Sequence, residues 1–207
     1  MLFTSSVEVY GLTFNHGIAT EDSPLRPQSA YARSKAAAET MFADVLPATA
    51  QLIVARPSNH SGPGQDQAFV IPSFAAQIAG VEAGTSTEIR VGNLDAERDF
   101  LDVRDVVEAY LALLAKAKDL PARAIFNIAS GHPVAIKDIL KRLCALSYRD
   151  IEVVQDTNRL RPSEVSRVAI DISAITALGW APRYTLDQLL LQVLNHQRPS
   201  ALPEVRS

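Results

Sequence analysis

The chain has 207 residues, 47% hydrophobic and 21% charged, with 20 basic against 23 acidic side chains. That balance excludes a disordered polymer, and the well-mixed charge leaves no basic footprint for nucleic acid. No apolar run approaches the ~18 residues of a membrane span, and the N-terminus MLFTSSVEVYG lacks the basic and apolar regions of a secretion signal.

The elements follow in chain order. Residues 1–5 read as the end of a buried strand, and 11–28 as a long loop of the kind that often carries function. YARSKAAAETMFADVL lies in a helix over 29–46 that stops at Pro47. QLIVAR (51–56) is a strand ended by Pro57, and PSNHSGPGQDQ (57–67) is a polar loop. Helices are expected over 68–81, 102–118, 136–147 and 185–197, and strands at AIFNIA (124–129) and IEVV (151–154). In the third helix Asp102 is placed to cap, with Asp105 a first-turn charge, while Val106, Val107, Tyr110, Leu111, Leu113 and Leu114 form one broad apolar face. Alternating strands and helices predict an α/β protein.

The single cysteine, Cys144, excludes an internal disulfide and fits a reducing cytoplasm. It reads as a core residue. The four histidines have no metal-ligand spacing, so no metal is expected, and His60 reads as structural. There are nine glycines, about 4% where ~7% is usual, and none forms a G-x-G-x-x-G or G-x-x-x-x-G-K phosphate loop.

Tyr31 and Lys35 form Y-x-x-x-K on the first helix and share one face. A free phenol titrates near 10, too high for proton transfer at neutral pH, and a neighbouring ammonium favours the phenolate. Alone, the pair is a weak signal. FTSSVEVYG adds Ser6 at a strand end; ARPSNHSGPGQ, VGNLDAERDFLDVRDVVEAY and RPSEV follow in order. Together these segments resemble the extended short-chain dehydrogenase/reductases, the NAD-dependent epimerase/dehydratase family.

That resemblance implies the C-terminal part of a Rossmann-like parallel sheet with a smaller α/β substrate-binding lobe. Residues 1–56 and 98–130 would belong to the sheet domain, 57–97 and 131–207 to the lobe. It implies NAD or NADP as hydride donor. Ser6 would hydrogen-bond the substrate oxygen, Tyr31 would pass the proton, and Lys35 would hold the nicotinamide ribose. Pro57 and Ser58 would line the nicotinamide. Asn59, Arg98 and Arg161 would contact a substrate diphosphate, where an arginine fork suits phosphate oxygens. Glu164 would meet the nucleoside ribose. A hydroxyl donor and an acid suit a carbonyl on which hydride transfer builds negative charge.

Within the family the pattern is most similar to reductases of GDP-linked 4-keto-6-deoxyhexoses, forming a GDP-6-deoxyhexose of the GDP-rhamnose type. GDP-mannose dehydratases and related nucleotide-sugar epimerases are the alternative. Glucose-type dehydratases carry Thr-Asp-Glu where this chain has Ser6, Val7 and Glu8. Valine donates no proton, but Glu8 keeps a catalytic base in place and the dehydratase reading open. The helices at 29–46 and 102–118 resemble the family's dimer bundle, which implies a homodimer in the full-length form. The match begins in the middle of the family's fold, at the strand before the catalytic serine, so a completed pocket is expected only in a longer chain. A truncated, non-catalytic nucleotide-sugar-binding protein is the reading from another class.

Overall fold

A computed structural model describes residues 1–159 and 164–198. Its strands and helices are, in chain order, β1 (Leu2–Thr4), α1 (Ala30–Val45), β2 (Leu52–Pro57), β3 (Asn59–Ser61), α2 (Val70–Glu82), β4 (Glu88–Val91), β5 (Glu97–Arg98), β6 (Phe100–Asp102), α3 (Val103–Ala115), β7 (Arg123–Ile128), β8 (Val134–Ala135), α4 (Ile136–Ala145), β9 (Glu152–Gln155), α5 (Ser173–Ala177) and α6 (Leu186–Gln197). Three strands form a parallel sheet in the order β1-β2-β7. Its register pairs Phe3 with Val54, and Val54 with Ile125. Every residue of β2 is buried, as a central parallel strand requires. Pairs β3-β6 and β4-β9 are also parallel, and β5-β8 is antiparallel.

Local chemistry sets the helix starts. Ser29 Oγ accepts from the Ala32 amide at 3.0 Å, Asp102 Oδ1 from the Arg104 amide at 2.9 Å, and Thr185 and Gln188 close a capping box on α6. Each predicted helix is present, ending within a few residues of the expected position.

Three apolar clusters hold the elements. One sits under β2 and β7, where α3 contributes Val106, Ala109 and Leu113 and the C-terminal region contributes Ile175 and Trp180. A second joins α2, α4 and α6 through Ile78, Leu143 and Leu190, with Ile89 of β4. The third packs Val7, Val9, Tyr10 and Phe14 against Ala129, Val168 and Ile170.

Three expectations are revised. The segment expected to be a loop from residue 11 is wound in 3₁₀ turns over Val7–His16, broken at Gly11, where φ is 50°. A Cβ at Gly11 would collide with the Arg26 carbonyl, so glycine alone suits this kink. The broad apolar face of α3 is divided: Val106 and Leu113 are buried, whereas Val107, Leu111 and Leu114 are exposed. Asp105 is also more than a first-turn charge, because it is fully buried and accepts the backbone amides of Arg183 and Tyr184 at 2.9 and 3.2 Å.

Candidate active site

Ser6 follows the C-terminal end of β1, and its Oγ accepts from the Glu8 amide at 3.2 Å, capping the 3₁₀ segment. The cap fixes Ser6 at the start of a turn while its hydroxyl proton stays free to donate elsewhere. Glu8 is exposed, and Ser29 Oγ lies 3.4 Å from its Oε2.

Tyr31 sits in the first turn of α1 with half its surface exposed. Lys35 lies one turn later. Its Nζ donates to the Thr4 carbonyl at 2.8 Å and stands 5.7 Å from the Tyr31 ring centroid. The Y-x-x-x-K face is therefore turned toward the end of β1, where Ser6 emerges.

Glu8, Asn59 and Arg98 line one cleft of about 190 Å³ with Gln28, Ser29 and Ala32 from the entry to α1. Arg98 donates from Nη1 to the carbonyls of Glu97 and Ser166 at 2.8 and 3.3 Å, and from Nη2 to that of Val165 at 3.0 Å. Burial pulls its pKa down, and the negative charge of Glu8 opposes that pull. Glu164 is exposed beside the segment Arg98 holds, and its carbonyl accepts from Asn15 Nδ2 at 3.0 Å. Arg161 lies outside the described residues.

Pro57 ends β2, and Ser58 is buried just beyond it. The Ser58 hydroxyl is committed to Asp99 Oδ1 at 3.0 Å and its amide to the Ile128 carbonyl at 2.8 Å, so its side chain orders the loop in this structure. His60 Nδ1 is 2.9 Å from the Ser58 carbonyl, consistent with a structural role. Cys144 is half-buried against the helical cluster, and its thiol pKa is pushed up by that burial. The larger open grooves beside α2 contain none of the expected site residues.

Sequence reasoning missed Asp99. This fully buried carboxylate accepts from Ser58 Oγ, Ser130 N (2.8 Å), Ser130 Oγ (2.9 Å) and His132 N (3.1 Å), joining the loops that leave β2 and β7. Its signal was present as an acid inside the otherwise strand-like RDFLD. Also missed was the charged network of Glu39, Arg56 and Tyr10 beneath the strand ends; Arg56 stands out in the sequence as a charge within the apolar run LIVARP.

A crevice at the carboxyl ends of parallel strands is where open α/β sheets bind ligands. Here a serine follows the end of β1 and the Lys35 side chain of the Tyr-x-x-x-Lys helix is bonded to the Thr4 carbonyl at that same strand end, the arrangement of an extended short-chain dehydrogenase/reductase. The model of the family described as GDP-mannose 4,6 dehydratase matches residues 1–193, and the chain belongs to that family. It is 36% identical over 198 residues to GDP-6-deoxy-D-mannose reductase of Pseudomonas aeruginosa, covering 94% of this chain and 64% of the relative. Human dTDP-D-glucose 4,6-dehydratase is 32% identical over 188 residues, covering 88% of this chain and 51% of that enzyme. A solved structure of RMD from Pseudomonas aeruginosa complexed with NADPH superposes with a TM-score of 0.85 at 36% identity, covering 95% of this chain and 65% of that one. The chain thus spans between half and two thirds of these relatives' length.

Proposed function

We propose that the protein is an NAD(P)-dependent nucleotide-sugar oxidoreductase that reduces a GDP-linked 4-keto-6-deoxyhexose to the GDP-6-deoxyhexose. One observation carries the reading: Glu8, Asn59 and Arg98 line a single cleft with the first turn of the Tyr31 helix. The cleft carries an arginine suited to phosphate oxygens, and Ser6 and Tyr31, whose hydroxyls suit a carbonyl, are sequence neighbours of its lining residues Val7 and Ala32 without lining it themselves. Similarity to the Pseudomonas reductase supports the choice of reaction.

The residues present fit the nicotinamide end of NADH or NADPH. Tyr31 presents an exposed phenol, Lys35 an ammonium on the same face, and Pro57 and Ser58 a loop ordered through Asp99. When bound, the dinucleotide supplies the hydride. Ser6 donates a hydrogen bond to the sugar's ketone oxygen, and Tyr31 delivers the proton that makes it a hydroxyl. Lys35 orients Tyr31 and the nicotinamide ribose. Asn59, Arg98 and Arg161 hold the diphosphate, and Glu164 the nucleoside ribose.

The wider reading includes a cytoplasmic homodimer. Val103, Val107, Leu111 and Leu114 expose an apolar stripe on α3, and Met41 and Val45 add apolar surface on α1, which supports pairing through these helices. The division into a sheet domain (1–56 and 98–130) and a substrate lobe (57–97 and 131–207) is supported by the separate cluster of α2, α4 and α6. On this division the lobe also sends Ile175 and Trp180 onto the sheet.

The test is oxidation of NADPH with a GDP-4-keto-6-deoxyhexose, by the 207-residue chain and by a version joined to the segment its longer relatives carry. Tyr31→Phe should abolish turnover; unchanged turnover would remove Tyr31 from its role. Calorimetric titration with NADPH separates an enzyme from a non-catalytic sugar-nucleotide binder. A second reading, GDP-mannose dehydration, is favoured by the position of Glu8 in the cleft. Glu8→Gln should block dehydration while leaving ketone reduction working.

A further inference from the structure

The most deeply buried ion pair in the described residues lies where α1 crosses the strand ends. Arg56 of β2 and Glu39 of α1 meet two-pronged, with Nη2–Oε2 at 2.6 Å and Nε–Oε1 at 3.0 Å. Glu39 Oε1 also accepts from the hydroxyl of Ser5, the residue before Ser6. The remaining arm of Arg56 donates to Tyr10 Oη at 2.8 Å and to the Glu21 carbonyl at 3.1 Å. Tyr10 Oη in turn donates to Asn127 Oδ1 of β7 at 2.7 Å. The guanidinium of β2 thus holds α1 and the 3₁₀ segment directly, and through Glu39 and Tyr10 it reaches Ser5 just beyond β1 and Asn127 of β7.

The placement of Glu39 on its helix is what matters. Of the sixteen residues of α1, only Ala32 and Glu39 are buried. Tyr31, Lys35 and Glu39 follow at one-turn intervals along one side. Two neighbouring strand-end groups receive that side: the Thr4 carbonyl takes Lys35, and the Ser5 hydroxyl takes Glu39. Apolar contact on this helix is made by Ala32, Ala36 and the Phe42 ring 4.9 Å from that of Phe3, and the hydrogen bonds of Lys35 and Glu39 add fixed directions to it.

A buried ion pair adds little net stability over apolar side chains of similar volume, because desolvating both charges offsets their attraction. Its directional bonds do fix a geometry. We propose that Glu39, through Arg56 and Ser5, is a positioning residue that sets Tyr31 and Lys35 against Ser6. The proposal rests on the reading of those three as the reacting groups.

The test replaces the pair with apolar side chains, since Glu39→Gln alone strands a buried guanidinium and risks misfolding. The double variant Glu39→Leu/Arg56→Met should stay folded, its unfolding midpoint lowered only by the buried Ser5 hydroxyl that loses its acceptor, while kcat for the keto sugar falls about 100-fold with KM moving less than about threefold. Glu39→Asp, which keeps the charge, should regain part of the rate. Hydrogen exchange gives a readout independent of activity. Amides of α1 and of Glu8 should exchange about tenfold faster in the double variant, with α4 and α6 unchanged. Wild-type kcat in the double variant, or faster exchange spread equally over all helices, would overturn the proposal. An unsubstituted protein inactive on the keto sugar even when joined to the segment its longer relatives carry would instead refute the functional reading, and the exchange pattern would then decide the coupling of α1 to the strand ends by itself.

Discussion

Lys35 Nζ donates a hydrogen bond to the Thr4 carbonyl at 2.8 Å while standing 5.7 Å from the Tyr31 ring centroid and 5.3 Å from that of Phe3. The same group thus fastens α1 to the end of β1 and places a positive charge beside the phenol. Replacing it with methionine keeps the aliphatic length and removes both effects. Lys35→Met should lower kcat about 100-fold. The loss of one hydrogen bond on a half-buried side chain should cost only roughly 1 kcal/mol of stability by urea unfolding. A rate loss matched by an equally large fall in folded fraction would show that Lys35 only fastens the helix.

Asp99 concentrates four donors on one buried carboxylate, and no arginine or lysine is among them. Asp99→Ala would take the buried acceptor from the Ser58 hydroxyl and from the Ser130 amide, while the His132 amide would keep Ser130 Oγ at 3.0 Å. The expected cost is roughly 3 kcal/mol, read from the denaturant midpoint. Because Arg98 precedes Asp99 directly, affinity for a GDP-sugar should weaken in the same variant, as calorimetry would detect.

The helices of this fold were legible because their signals are local. Alanine-rich sequence, Ser29, Asp102 and Thr185 at the caps, and the apolar repeat of 136–147 each act within a turn or two. The parallel strands β1, β2, β7 and β9 were legible as short apolar runs, whereas β3, β4 and β6, of three or four residues each, were not, and β3 lies inside the segment expected to be a polar loop. The 3₁₀ segment was not legible either, because VEVYGLTFNH has neither a two- nor a 3.6-residue apolar repeat, and Val7, Val9, Tyr10 and Phe14 are buried by partners more than 100 residues away. The Glu39–Arg56 pair was half hidden: Arg56 stands out within LIVARP, but Glu39 reads as an ordinary helix charge until the two segments meet. Ser6, Glu8, Tyr31, Lys35, Asn59 and Arg98 were visible only as motifs, and it took the tertiary structure to show that Glu8, Asn59 and Arg98 share one cleft.

The exposed side of α3 yields a prediction about assembly. Val103, Val107, Leu111 and Leu114 recur at three- and four-residue intervals and are each more than a third exposed. An apolar stripe of this kind is more costly in water than against a second helix pair. The protein should sediment as a dimer, and Leu111→Glu should yield a monomer with an unchanged circular dichroism spectrum. A dimer that survives Leu111→Glu together with Val107→Glu would assign the contact to another surface.

Glu82 and Arg198 clamp the far ends of three helices, and their pairing makes stability depend on pH in a definite direction. Glu82 closes α2, and Arg198, which caps α6, donates to both of its carboxylate oxygens at 2.7 Å. The same guanidinium reaches the Leu146 carbonyl beyond α4 at 3.0 Å. These hydrogen bonds from Arg198 hold the Glu82 carboxyl below the ordinary glutamate value of 4.5, against the opposing effect of burial. A carboxylate whose pKa is lowered by folding contributes stability that is complete above its unfolded value and disappears as pH falls through its folded value. Glu82→Gln should therefore lower stability by roughly 2 kcal/mol at pH 7. Over the acidic range below 4.5 the gap between the two proteins should close, because protonation removes the charge from the parent. Thermal unfolding of both from neutral to acidic pH measures the gap directly, and a constant difference across the range would show that the clamp does not act through the Glu82 charge.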